Sequence, residues 1–194
     1  MTTVEQAFTD AKHCLESFIA DAEQFPRVAL FADKLAATFR AGGKALSCGN
    51  GGSMSDAMHF AEEWSGRYRS ERPPLPAIAF SDPGHMSCVA NDYGYAEVFA
   101  RQVQALGSEG DLLLMLSTSG NSPNLLRAAE EARSRGVTTV GLLGKGGGKL
   151  LPLCDLPIIV PGETSDRIQE LHIKIIHIVI ETVERALFPD LYPD

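Results

Sequence analysis

Basic residues are scarce in this chain, with 17 Lys plus Arg against 25 Asp plus Glu over 194 residues and a formal net charge of -8. Nonspecific nucleic-acid binding and attachment to an anionic membrane both need a net or local excess of positive charge, so neither is expected. Long apolar runs are missing too. No uninterrupted apolar stretch is longer than Leu112 to Leu116, far below the ~20 residues that cross a bilayer. The first ten residues, MTTVEQAFTD, carry two acids and no base, so they lack the charged and apolar regions of a secretory signal. Cys14, Cys48, Cys88 and Cys154 are widely scattered with no C-x-x-C pair, which excludes a dense disulfide framework. These absences point to a soluble cytoplasmic protein with reduced thiols. What the chain does have is 44% hydrophobic residues, enough at this length to bury one ordinary core. A single domain over residues 1–194 is the simplest organisation.

The pattern is helical from Val4 to about Ala41, with Ala7, Cys14, Phe18 and Ala22 at helical spacing, Pro26 as punctuation, and Val28, Leu30, Phe31 and Leu35 opening a second run. Residues 1–41 are therefore expected as two N-terminal helices. Five β-rich runs follow: Lys44 to Cys48, Pro76 to Phe80, Leu112 to Leu116, Thr138 to Leu143 and Leu156 to Val160. Buried strands alternating with helices predict an α/β fold, with a five-stranded parallel sheet flanked by helices. A last helix should start near the N-cap types Ser165 and Asp166 and run to about Leu187. Its Ile168, Leu171, Ile175, Ile178, Val179 and Val183 suggest burial on more than one side, against a second subunit.

Ligands of open parallel sheets bind at the carboxyl ends of the strands, and two loops there are distinctive. Gly49-Asn50-Gly51-Gly52-Ser53 leads into the helix holding Asp56, His59 and Glu63. Its glycines let the backbone approach a ligand at a helix N-terminus, where the dipole favours an anion. It is not a dinucleotide fingerprint, because Met54 stands where the last glycine would be required. Ser117-Thr118-Ser119-Gly120-Asn121-Ser122-Pro123 offers four hydroxyls, with Ser122 as N-cap and Pro123 as first helical residue. Together the loops favour an oxyanion site, phosphate above all. Gly144-Lys145-Gly146-Gly147-Gly148-Lys149 only resembles a Walker A loop, since Leu150 replaces the magnesium-binding hydroxyl. It is expected as a flexible surface loop.

His59 and Glu63 are four residues apart and so share a helix face. A solvent-facing polar pair would give the same spacing. His172 and His177 sit on the apolar last helix, where a core or interface histidine is the ordinary outcome. Gln169 precedes His177 by eight residues, a rise of roughly 12 Å, so a metal shared by both is more easily built between subunits.

Taken in chain order, CGNGGS (48–53), DAMHFAEE (56–63), ANDYG (90–94), STSGNS (117–122) and DRIQELHIKIIH (166–177) resemble the phosphoheptose isomerase family of sugar isomerase (SIS) domain proteins. The resemblance spans nearly the whole chain. It implies a three-layer SIS fold and an aldose-ketose isomerase that interconverts sedoheptulose 7-phosphate and D-glycero-D-manno-heptose 7-phosphate through an enediolate. It also implies a bacterial cytoplasmic homotetramer with active sites at subunit interfaces, feeding heptose into lipopolysaccharide. By the family's motifs, Ser53, Ser117, Thr118, Ser119 and Ser122 would hold the phosphate, while Asn50, Gly51, Gly52, Asn91 and Asp92 would line the sugar. One zinc per subunit would map onto His59, Glu63, Gln169 and His177, with Glu63 and Gln169 also meeting substrate. The acid/base pair would be Glu63 and His177. The alternative is a noncatalytic SIS-domain protein such as the replication initiator-associating protein, which Ala186-Leu187-Phe188-Pro189 resembles. That relative lacks counterparts of Glu63 and His177.

Overall fold

The hydrophobic pattern sorts the chain into a sheet with two different helical faces. In β1 (Ala45–Gly49), β2 (Ala77–Ala79), β3 (Leu112–Ser117), β4 (Thr138–Gly144) and β5 (Leu156–Val160), neighbouring side chains alternate between faces. Leu112, Leu114 and Leu116 enter one core, and Leu113 and Met115 enter the other. The computed structural model describes residues 1–193, so Asp194, the last residue of the expected domain, lies outside them. All strand pairs are parallel, in the order β2-β1-β3-β4-β5. The five expected strands are all present, with no end displaced by more than one residue and β5 as expected.

One face carries α1 (Thr3–Ala20), α2 (Gln24–Arg40), α3 (Gly52–Ser65) and α7 (Ser165–Leu187), which share a core built around Phe31, Leu35, Phe60, Trp64 and Ile176. The other carries α4 (Pro83–Tyr93), α5 (Val98–Leu106) and α6 (Pro123–Ser134), packed through Val98, Phe99, Leu125 and Ala128. Local chemistry sets the helix starts. Thr2 and Glu5 form a capping box on α1, and Asp82 accepts the His85 N–H at 2.6 Å at the start of α4. The Asp111 carboxylate accepts the Lys44 N–H at 2.9 Å, the Ser108 N–H at 2.8 Å and Lys44 Nζ at 2.6 Å, fastening the entrances to β1 and β3.

Three expectations need correction. The N-cap of α7 is Thr164, and Ser165 is already helical. Most apolar residues of α7 are covered within the chain by α1, α2, α3 and the sheet, while Ile178 stays exposed, so only that side is left for a second subunit. Finally, the glycine cluster is no free surface loop. It forms a kink, with Gly146, Gly147 and Gly148 at positive φ, inside the 3-10 stretch Lys145–Leu153; Gly147 and Leu150 are buried, and the Leu150 N–H donates to the Gly120 carbonyl at 2.9 Å.

His172 is completely buried on α7 with no well-formed hydrogen bond to either ring nitrogen among the described residues. Burial pushes its pKa down to about 4, against a weaker opposing pull from the Leu143 backbone. The unfolded chain takes up this proton near the ordinary value of about 6.5, so stability is full above that pH and falls as the pH drops toward 4. The slope is about 1.4 kcal/mol per pH unit for one such group. Urea unfolding at pH 7 and pH 5 should show that loss in the native chain and a smaller one in His172→Leu.

Candidate active site

The strand order reverses between β1 and β3, which lie side by side while their neighbours in sequence lead to opposite edges of the sheet. A crevice opens at such a switch point, beyond the carboxyl ends of the strands. The loops after β1 and β3 flank it. Between them is a cavity of about 190 Å³ lined by Asn50, Ser53, Ser117, Thr118, Ser119, Ser122, Ser165 and Gln169, with Leu116 at its floor.

Not one lining residue is charged. The positive character comes instead from three helix N-termini: Ser53 in the first turn of α3, Ser122 at the N-cap of α6 and Ser165 at the start of α7. None of the three N-cap residues, Gly51, Ser122 and Thr164, makes a side-chain capping bond. No capping side chain offsets the helix dipoles, which favour an anion there, while the Ser53 N–H donates to the Asn50 carbonyl and the Leu125 N–H to the Ser122 carbonyl, each at 3.1 Å. The Thr118 and Ser165 hydroxyls are 3.0 Å apart, and Gln169 Nε2 is 3.4 Å from Ser53 Oγ. A Cβ on Gly52 would stand 2.8 Å from the Gln169 amide, so glycine admits α7 to this corner.

The hydroxyl loop is itself held. Ser117 Oγ accepts the Gly120 N–H at 3.0 Å, and Asn121 bridges to the Lys149 N–H at 3.1 Å. Asn50 is clamped by Asn124, with amide contacts of 3.0 and 2.8 Å, and by the Tyr95 hydroxyl at 3.2 Å.

Farther along α3 and α7, His59, Glu63 and His177 bring one ligand atom each within 4.8 Å of the others. His59 Nε2 is 2.8 Å from His177 Nε2 and 3.3 Å from Glu63 Oε1, while its Nδ1 faces Glu62 at 3.2 Å. Tyr68 stacks on the His177 ring with centroids 5.9 Å apart. Partial burial, then the adjacent Glu62 charge, raises the Glu63 pKa, while His59 opposes the rise. Burial, then His59, Arg69 and Lys174, lowers that of His177. Two imidazole nitrogens and a carboxylate oxygen aimed at one point form a donor set suited to zinc.

The structure thus joins all five expected phosphate residues in one cavity and three expected metal ligands in one cluster. Gln169, also expected on the metal, is directed to the cavity and Ser53. Gly51 and Gly52 are exposed on the turn into α3. Asn91 and Asp92 are exposed near the end of α4, bonded to each other at 2.8 Å, and do not line the cavity. Sequence reasoning missed Ser165 as a cavity residue, because it counted that hydroxyl as a cap. It also gave no role to Asp56, whose Oδ2 is buried without a partner among the described residues and whose pKa burial pushes up to about 6. The available signal was helical spacing, since Asp56 lies three residues before His59.

The family profile of the SIS domain matches residues 8–144. A phosphoheptose isomerase from Fusobacterium nucleatum subsp. nucleatum is 55% identical over 178 residues, covering 92% of each chain. The solved phosphoheptose isomerase from Francisella tularensis superposes with a TM-score of 0.90 at 35% identity, covering 95% of this chain and all of the other. Phosphoheptose isomerase GmhA from Neisseria gonorrhoeae gives 0.87 at 34% identity, over 93% and 96% of the two chains. With the SIS profile, the shared fold and these identities over nearly the whole length, the chain belongs to the phosphoheptose isomerase family of SIS-domain proteins.

Proposed function

We propose that this enzyme converts sedoheptulose 7-phosphate to D-glycero-D-manno-heptose 7-phosphate, for the heptose of lipopolysaccharide, with Glu63 and His177 moving the protons. The carrying observation is the pairing of a charge-free oxyanion cavity with a separate Glu-His cluster along the same two helices. From Ser53 to His59 the rise along α3 is about 9 Å, and to Glu63 about 15 Å. A seven-carbon sugar with phosphate at one end and carbonyl at the other suits such a separation.

Moving the carbonyl between C1 and C2 requires removing a proton from the carbon beside it, forming an enediolate, and returning a proton to the other carbon. Glu63 takes the carbon-bound proton, and its raised pKa makes it a stronger base than an ordinary carboxylate. His177 returns a solvent-exchangeable proton to the other carbon as acid/base partner while the oxygen-bound proton passes from O1 to O2 across the enediolate, and the two residues exchange roles in the reverse direction. Ser53, Ser117, Thr118, Ser119, Ser122 and the helix N-termini hold the phosphate, so remote binding energy orients the reacting end. Asn50, Gly51, Gly52 and Gln169 are assigned to the sugar, and so, by family likeness, are Asn91 and Asp92, which lie exposed on α4 outside the cavity. His59, Glu63 and His177, with Gln169 by family likeness, would hold zinc, which supplies polarisation of a carbonyl. A tightly bound carboxylate is a weaker base, so metal and proton-transfer roles compete for the Glu63 oxygens.

The reading includes a cytoplasmic homotetramer whose neighbours complete each site. Exposed Phe8, Phe25, Leu30 and Ile178 on α1, α2 and α7 support it, as does a groove of about 460 Å³ beside His177 that stays open in one chain. No helix among the described residues is long and apolar enough to cross a membrane. The noncatalytic alternative has no use for the Glu63-His177 cluster.

The test compares sedoheptulose 7-phosphate with unphosphorylated sedoheptulose. The phosphorylated ketose should be converted to the aldose, and the free sugar should lose at least about 100-fold in kcat/KM if the cavity's binding energy is used for orientation. Equal rates would refute the phosphate role, and no conversion of either by the folded, zinc-supplied protein would refute the reaction.

A further inference from the structure

The last turn of α3 carries Glu63, and the carbonyls of such a turn have no partners within the helix. One side chain collects them. Arg72, in the segment between α3 and β2, donates from Nη2 to the Glu63 carbonyl at 2.6 Å and from Nη1 to the carbonyls of Trp64 at 2.9 Å and Pro73 at 3.2 Å. Its Nε donates to Glu184 Oε1 on α7, and both side chains are fully buried. The second oxygen of Glu184 accepts the hydroxyl of Tyr192, just beyond the terminal 3-10 turn Pro189–Leu191. Glu184 follows His177 by seven residues, two turns along the same face of α7.

Burying a charge pair is a poor way merely to stabilise a helix end, because desolvation offsets much of the attraction. What a planar guanidinium supplies is orientation: its donors lie in one fixed fork, so the groups they hold are fixed relative to one another. The groups fixed here are the turn of α3 bearing Glu63 and the stretch of α7 following His177.

We propose that Arg72, Glu184 and Tyr192 form a positioning network for the proton-transfer pair, with Arg72 pinning the Glu63 turn to α7 and the Tyr192 hydroxyl holding Glu184 in register. The inference rests on the reading of Glu63 and His177 as acid and base. None of the three side chains is hydrogen-bonded to the Glu63 carboxylate or the His177 ring, so they position the pair through the backbone and do not touch substrate, while the Glu184 and Arg72 charges also bear on the Glu63 carboxyl in opposite directions. The terminal segment, which lies outside the SIS profile match, thereby acquires a part in turnover.

Tyr192→Phe removes one hydroxyl and keeps the ring that stacks under Arg185 at 4.5 Å. Its kcat per folded molecule should fall about 10-fold with KM for sedoheptulose 7-phosphate within about twofold, since a displacement well under 1 Å costs that much. Amide hydrogen exchange over residues 63–66 should accelerate about 10-fold through local opening. Arg72→Lys keeps the charge and loses the fork, so its kcat should fall about 100-fold; if it does not fold, Tyr192→Phe decides. Native kcat per folded Tyr192→Phe molecule overturns the proposal whatever happens to its melting temperature, and so does unchanged exchange over 63–66. Should the native chain itself fail to isomerise, the acid/base reading falls, and the exchange measurement still decides whether Tyr192 holds the α3 turn.

Discussion

Glu63→Gln should lower kcat for sedoheptulose 7-phosphate by about 10³-fold or more, near the upper range for loss of a general base. Glutamine keeps the side-chain volume and can still meet His59, which stands 3.3 Å from the carboxylate in the native chain. It cannot accept a proton at neutral pH. Phosphate affinity should stay within about threefold of native, because the cavity lies about 15 Å back along α3 and contains no charged residue that Glu63 could influence. Calorimetric titration with the sugar phosphate would separate the two quantities. His177→Gln should behave alike in kcat. A near-native rate in either variant would remove that residue from the chemistry.

Gly120→Ala should be the most damaging single methyl group near the cavity. Gly120 has φ +64°, and a Cβ there would stand 1.9 Å from the Gly147 carbonyl oxygen and 2.3 Å from its carbon. Both obstacles are backbone, so relief requires pushing apart the hydroxyl loop and the 3-10 segment that supports it. We expect a loss of roughly 2–4 kcal/mol in unfolding free energy, from left-handed strain plus displaced packing. Sugar-phosphate affinity should drop about 100-fold, equivalent to about 2.7 kcal/mol. Gly146→Ala is the matched control. Its φ is +76° but a Cβ there meets nothing within 4 Å, so it should show only the backbone strain of about 1–2 kcal/mol and retain the affinity. Equal effects in both variants would mean that contact with the 3-10 segment is unimportant.

The parts of the molecule governed by short-range order were legible from the sequence. Leu112 to Leu116 reads as a buried strand because five apolar residues in a row suit a strand buried on both faces, and α7 reads through to Leu187 because its apolar spacing is helical throughout. The two small-residue loops could also be placed, since strand ends and N-cap chemistry fix them locally. What escaped depends on contacts between distant segments. Glycine at 146 to 148 looks like slack until Gly120 packs on Gly147. Asp56 looks like an exposed helical acid until the fold buries one of its oxygens. Arg72 and Glu184 are 112 residues apart, and no pattern in the sequence pairs them. The spacing of His59 and Glu63 suggested a shared ligand and only the family resemblance added His177 to them; the packing of α3 on α7 supplies the contact that spacing could not.

The central claim is that a proton is taken from carbon at the Glu63-His177 cluster. The most direct measurement is turnover of sedoheptulose 7-phosphate in deuterated water, followed by mass and NMR analysis of the sugar. The account predicts one carbon-bound deuterium at C2 of the aldose formed by the native chain, and loss of that label together with turnover in Glu63→Gln. Aldose formed without carbon-bound deuterium would contradict the account, because the hydrogen would then pass between the carbons without meeting solvent and His177 would not be its donor, and undiminished labelling by Glu63→Gln would assign the base to another residue.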